Sequence, residues 1–231
     1  MNEVHDTDKA DSLLLSDFWK QHPEWRVGRG TWNDATLNYA VPEVREHMMA
    51  RLREVLDRYG SRIDGLELDW QRFPSHFKKG EQEKGIPILT RFVRDVRRMT
   101  DECGQRRGRP LLLAVRVLPS LAKSRSIGLD PVGWAKEGLV DLVSVSRFLH
   151  NSEGALAIQE YKRAIPGIPV YGSIEFTTDA GEYRREARTL WSQGVDGIYL
   201  FNFFCSRELD PAVEPPLHLL KELEDPKAIQ P

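Results

Sequence analysis

The sequence is poor in the residues from which most recognisable sites are built. Its 231 residues include 2 cysteines, Cys103 and Cys205, which make neither a disulfide framework nor a thiolate metal site. No Cys-x-x-Cys, His-Glu-x-x-His, Walker or Gly-x-Gly-x-x-Gly spacing occurs, which removes the commonest zinc, redox and phosphate-cradling motifs. Asp6, Asp8 and Asp11 match no calcium loop in their spacing. No metal and no cofactor is expected. Apolar runs stay well short of the ~18 residues that suggest a membrane span, and the opening Met1 to Asp6 is polar and acidic, so it does not read as a signal peptide. Localisation is left open. An excess of charge is also lacking. Lys plus Arg total 33 against 35 Asp plus Glu, a net charge of -2, so no overall field points to nucleic acid or to a membrane surface. The local clusters Arg94, Arg97, Arg98 and Arg106, Arg107, Arg109 read as solvated helix surface and loop.

What is present is alternation. Five short apolar runs, rich in Val, Ile, Leu and aromatics and bounded by Gly, Pro or Asp, read as buried parallel strands: Ile63 to Trp70, Pro110 to Leu118, Val140 to Ser146, Ile168 to Glu175 and Val195 to Phe203. Helical periodicity fills the gaps. Val44, Met48, Leu52, Val55, Leu56 and Tyr59 recur at helical spacing after Pro42, which suits a first helical position. A second stripe runs from Ile86 through Leu89, Phe92, Val93, Val96, Met99 and Cys103. Asp130-Pro131 opens a short helix ending near Gly138, and another covers roughly 152–164. Asp179 and Glu182 have capping-box spacing at the start of a helix that runs to Gln193. A last helix spans about Pro216 to Leu223.

Strand–helix repeats of this kind argue an α/β fold with a parallel sheet. A nucleotide-binding doubly wound sheet would carry a glycine-rich phosphate turn, and none follows any run, which favours the barrel. Polar groups sit instead at the C-terminal end of strand after strand: Glu67 and Asp69, Arg116, Ser146 and Arg147, Glu175, Asn202. Such a ring suits the catalytic face of a (β/α)8 barrel. A whole barrel needs eight strands and about 250 residues, whereas residues 1–40 read as a long loop. The expectation is a partial barrel, with residues 1–40 a rim segment, 41–225 the barrel portion and 226–231 a tail.

Three segments together resemble a family. Residues 41–74 (VPEVREHMMARLREVLDRYGSRIDGLELDWQRFP) resemble the helix-plus-strand signature of the glycosyl-hydrolase-like (β/α)8 proteins termed family 10-like. Residues 16–26 (SDFWKQHPEWR) resemble the loop before it, and residues 194–204 (GVDGIYLFNFF) the closing strand. Met1-Asn2-Glu3-Val4-His5 is similar to the tail of the motif that ends the family's third strand. The resemblance implies that the five runs are barrel strands four to eight, that Asn2 and His5 lie at the rim, and that the activity is carbohydrate hydrolysis. A looser similarity is to the chitinase-like hydrolases of family 18, whose strand-four motif aligns with Asp64, Gly65, Glu67, Asp69 and Gln71. The position of that family's catalytic acid is then Gln71, an amide.

Side chains alternate along a strand, so Glu67 and Asp69 share one face and Leu66, Leu68 and Trp70 the other. Two inward carboxylates are costly unless paired or used; Arg72 and Arg116 are candidate partners. Glycoside hydrolysis needs two carboxyl groups, one protonated and one ionised. Glu67 or Asp69 with Glu175 is the candidate catalytic set. Trp25, Trp32, Trp70, Phe201 and Phe203 offer aromatic surface, and Asn202 and Arg147 hydrogen bonds to sugar hydroxyls. The expected function is hydrolysis of O-glycosidic bonds in a polysaccharide or oligosaccharide. The alternatives are a barrel that binds carbohydrate without cleaving it and an inactive incomplete barrel. Two open sheet edges would favour self-association.

Overall fold

The computed structural model describes residues 7, 12–28, 35–148, 150–151, 154–205 and 214–229. Five strands form one all-parallel sheet in sequential order: β1 (Gly65–Asp69), β2 (Leu112–Val117), β3 (Leu142–Val145), β4 (Val170–Ile174) and β5 (Gly197–Leu200). Each lies inside one of the five apolar runs. The register is continuous, with Asp69 opposite Arg116, Arg116 opposite Ser144, Ser144 opposite Tyr171, and Ser173 opposite Tyr199. A strand order that never reverses is that of a barrel wall and not of a doubly wound sheet.

The helices are α1 (Asp17–Gln21), α2 (Pro42–Tyr59), α3 (Gln82–Arg107), α4 (Leu121–Ser126), α5 (Pro131–Lys136), α6 (Ile158–Ala164), α7 (Ala180–Ser192) and α8 (Leu219–Leu223). α2 begins with Pro42 at its first position and Glu43 in its first turn, where an acid meets the positive end of the helix dipole. α3 ends where Gly108 takes φ 72°, the left-handed C-terminal conformation open to glycine without strain. α5 is capped by Asp130, whose side chain accepts from the Gly133 N–H. At α7, Asp179 caps Gly181, but Glu182 bonds Thr177 and Asn151. The second half of the expected capping box is thus diverted into tertiary contacts.

The two faces of the sheet differ as the alternation requires. Leu68, Trp70, Leu113, Val115, Val143, Val145, Val170 and Ile174 point outward and are fully buried in the main core. The inner face carries Glu67, Asp69, Arg116, Ser144, Ser146, Ser173, Glu175, Tyr199 and Phe201. Its lower part opens to solvent, with Leu112 51% exposed. The architecture is therefore α/β, a partial (β/α) barrel of five strands, and β1 and β5 form its two outer edges.

Two expectations differ from the structure. The stretch before α2, read as loop, contains α1 capped by Ser16, a 3-10 turn at Pro23–Trp25 and an antiparallel bridge between Arg26 and Leu37. Leu15, Trp19, Leu37 and Tyr39 are buried there. The helix expected over 152–164 starts only at Ile158. Asn151 is drawn instead to the end of β4, and the Ala157 N–H to the Pro119 carbonyl.

Aspartates lead three of the strands at the opposite end of the barrel from the polar ring. Asp141 accepts from the Leu113 N–H at 2.7 Å and from Arg97. Asp196 accepts from the Val170 N–H at 2.8 Å and from Lys162. Asp64 pairs with Arg109 in solvent, which holds its carboxyl below the ordinary range. Asp141 and Asp196 tie each strand to its predecessor, a stability role that suits this end of a barrel.

Candidate functional site

The inner face converges on one guanidinium. Arg116 of β2 is 1% exposed. Its Nη1 donates to Asp69 Oδ2 at 3.0 Å, its Nε to Ser146 Oγ at 2.9 Å, and its Nη2 reaches Glu175 Oε1 at 3.5 Å. The guanidinium carbon lies 3.8 Å from the centre of the Phe201 ring and 5.7 Å from that of Tyr199. One side chain on β2 thus contacts groups on or just beyond all four other strands. A planar, always-charged fork with five donors is the residue able to do this. A charge so deeply buried requires these partners.

Glu175 is completely buried. Its Oε1 accepts from Ser173 Oγ at 2.6 Å and Ser146 Oγ at 2.8 Å, besides Arg116. Asn151 brackets its backbone, accepting from the Glu175 N–H at 2.9 Å and donating to its carbonyl at 3.2 Å. Asp69 is three-quarters buried on its side chain. While Oδ2 meets Arg116, Oδ1 accepts the backbone N–H groups of Gln71 and Arg72, each at 3.0 Å. That turn carries Phe73 in the left-handed region at φ 61°, and Asn202, just past β5, has φ 53°. A bulky residue there is strained, and such positions cluster at functional sites. The two non-glycine residues of this kind among those described both follow an edge strand.

Glu67 lies one step deeper along β1 than Asp69 and is exposed to solvent, whereas Asp69 is partly buried. The Tyr199 hydroxyl donates to its Oε1 at 2.9 Å. Crowding against the inner wall strips water from this carboxyl and raises its pKa. The Tyr199 bond opposes that rise, the negative charge of Asp69 adds to it, and Arg116 and Ser144 oppose it. The balance leaves Glu67 above the ordinary carboxylate value, the direction required of a proton donor.

The expected site residues divide by location. Glu67, Asp69, Arg116, Glu175 and Phe201 are brought together. Arg72 stands near, 5.8 Å from the Phe201 ring centre and 5.3 Å from that of Phe73. Asn202 is exposed at the rim. Trp70 is fully buried on the outer face, edge-on to Tyr39, His76 and Phe92; a substrate cannot reach it while that layer is packed. Arg147 is buried too, bonded to Gly154, Asn151 and Glu186, so it fastens a loop to α7. Asn2, His5 and Trp32 lie outside the described residues. Gln71 is 2% exposed, so the amide at the position of the family-18 acid is also enclosed.

Tyr199, Ser144 and Ser173 were missed, whereas Ser146 stood in the expected ring of polar groups. Tyr199 shares a strand face with Phe201, which period-two alternation alone would have revealed; the serines carry no signal without the register. Among the described residues no cluster of three or more His, Cys, Asp or Glu could hold a metal ion, and no helix is long and apolar enough to cross a membrane.

Comparison with known proteins finds no matching family model and no matching curated protein. Solved structures are similar in outline. A glycoside hydrolase family 18 N-acetylglucosaminidase from Paenibacillus barengoltzii is 13% identical, with 74% of each chain covered and a TM-score of 0.49. A chitinase from Bacillus thuringiensis is 16% identical over 59% of this chain and 25% of its own, with a TM-score of 0.41. A multi-modular cell-surface chitinase from Paenibacillus sp. str. FPU-7 is 16% identical over 58% of this chain and 14% of its own, with a TM-score of 0.40. At these values neither family nor activity follows from the likeness, and the functional reading rests on the side chains of the inner face.

Proposed function

We propose that the inner face is a glycosidase site acting on O-glycosidic bonds of an oligosaccharide or polysaccharide. The observation that carries this is the unlike pair on β1: Glu67, open to solvent and bonded by the Tyr199 hydroxyl, beside Asp69 held in an ion pair with the buried Arg116. Environments that separate two neighbouring carboxyl groups in this way create an acid and a base. Glu67 donates a proton to the leaving glycosidic oxygen, and Asp69 draws a proton from the attacking water. Glu175 anchors Arg116 from its enclosed position and touches no substrate. The anomer of the first product decides between inversion and retention. Phe201, Tyr199 and the rim residues Arg72 and Asn202 would face the sugar. Asn2 and His5 are proposed as further contacts from the family 10-like resemblance.

The test is hydrolysis of a panel of aryl glycosides and reduced oligosaccharides, with the anomer of the first product read by proton NMR. Glu67→Gln and Asp69→Asn are each expected to lower kcat/KM by about a hundredfold or more, with the Glu67→Gln melting temperature close to the parent's. Full activity in both variants would sink the assignment. A second reading, a barrel that binds glycans without cleaving them, is favoured by the enclosed amide Gln71. It predicts no turnover on the whole panel but measurable binding by titration calorimetry, weakened by Phe201→Ala.

The two outer strands also bear on partners. β1 and β5 each present one edge without a strand partner among the described residues, and unpaired edges template association. We propose self-association through them. Sedimentation velocity is expected to show a concentration-dependent rise in mean mass, and a single monomer species across a hundredfold range of concentration would contradict it.

A further inference from the structure

Glu67 is on one outer strand of the sheet, and the hydroxyl bonded to it comes from the other. The 2.9 Å contact between Tyr199 and Glu67 links positions 132 residues apart, and β1 and β5 share no backbone pairing. Only the curvature of the sheet brings the two side chains together. The Tyr199 ring is half-buried and stands 5.7 Å from the Arg116 guanidinium carbon, so the hydroxyl is delivered from a ring packed on the centre of the site. The groups acting on Glu67 are Asp69 from its own strand, Arg116 from β2, Ser144 from β3 and Tyr199 from β5. Tyr199 alone among them donates a hydrogen bond to Oε1 at ordinary distance in the described structure.

We propose that Tyr199 is a positioning residue for Glu67: its hydroxyl fixes the carboxyl in the orientation from which it serves the glycosidic oxygen. This rests on the reading of Glu67 as the acid, and it makes the conformation of β5 a condition for chemistry on β1. A phenol is suited to the task because it reaches across the barrel on a rigid ring and donates one directed bond. It also tunes the acid. A hydrogen bond to the carboxylate form favours ionisation, so Tyr199 keeps the crowding of Glu67 from holding its proton too tightly.

The experiment is a carbon-13 NMR titration of the side-chain carboxyls in the whole chain, with the Glu67 resonance assigned by its loss in Glu67→Gln. In Tyr199→Phe, which keeps the ring on Arg116, the Glu67 midpoint is expected to rise by about half to one pH unit. The alkaline limb of the activity profile should rise with it. Incorporating 3-fluorotyrosine, whose hydroxyl is a stronger donor, should move the midpoint downward, and this probe needs no loss of packing. A Glu67 midpoint unchanged by both alterations overturns the proposal. A moved midpoint in a protein that hydrolyses no glycan upholds the positioning role and overturns the catalytic reading. An unmoved midpoint in an active enzyme does the reverse.

Discussion

Arg116→Met is expected to lower the unfolding free energy by about 3–5 kcal/mol, measured as a fall in the urea midpoint at constant slope. The side chain is 1% exposed and Glu175 is completely buried. Methionine fills the volume but leaves Glu175 with only the Ser146 and Ser173 hydroxyls. The cost therefore comes mainly from a carboxylate left without its counter-charge, and less from lost attraction. That distinction has a measurable consequence. Arg116→Met combined with Glu175→Gln removes both buried charges, and the double variant should recover a large part of the loss. Strict additivity of the two single variants, or a loss below about 1 kcal/mol for Arg116→Met, would contradict the assignment of Arg116 as the central tie of the inner face.

Acidification supplies the second large effect. His76 is 1% exposed, edge-on to the rings of Tyr39 and Trp70. Its Nε2 lies 3.2 Å from the Trp70 carbonyl, which selects the neutral tautomer protonated at Nε2. Burial lowers its pKa from 6.5 to about 3, against the opposing pull of the Trp70 carbonyl and the Asp69 charge. Between those two values the unfolded chain binds a proton that the folded protein does not. Stability is therefore fully present above 6.5 and lost as pH falls towards 3, at up to about 1.4 kcal/mol per pH unit. Glu67 has the opposite sign. Its raised folded value contributes stability below the ordinary carboxylate value, which is lost as pH rises through the folded one. The clean comparison is the parent against His76→Asn, in which every carboxylate contribution cancels. The melting-temperature difference between them should shrink steadily from pH 7 to pH 4.5. Parallel curves would show that His76 takes up its proton over the same pH range in the folded and unfolded states.

Both predictions turn on residues of unequal legibility. The fold could be read far into its details. Val, Ile and Leu runs bounded by Gly and Asp marked every strand, because strands buried behind helices must be apolar on their outer face. Pro42, Asp130 and Asp179 marked helix starts, because an N-terminus with free N–H groups selects particular residue types. The stretch before α2 misled because its helix is a single turn, too short for periodicity to register, and its order comes from Leu15, Trp19 and Tyr39 packing on distant elements. The helix before β4 was overextended because Asn151 satisfies the backbone at Glu175, a partner 24 residues away.

The candidate site was legible in its parts. Glu67, Asp69, Arg116 and Glu175 stood out as charges in apolar runs, and alternation placed the β1 pair on the inner face. Trp70 and Arg147 were equally conspicuous in sequence, but one is core and the other fastens a loop. The lack of cysteine, of metal and phosphate motifs and of net charge, together with the strand–helix alternation, determined the α/β class and the polar inner wall, since these follow from local composition and a period of two. Which carboxylate carries Arg116, which is enclosed and which meets Tyr199 was decided only by strand register and sheet curvature. Those depend on contacts between residues as far apart as Glu67 and Tyr199, and no local pattern in the chain encodes their distance.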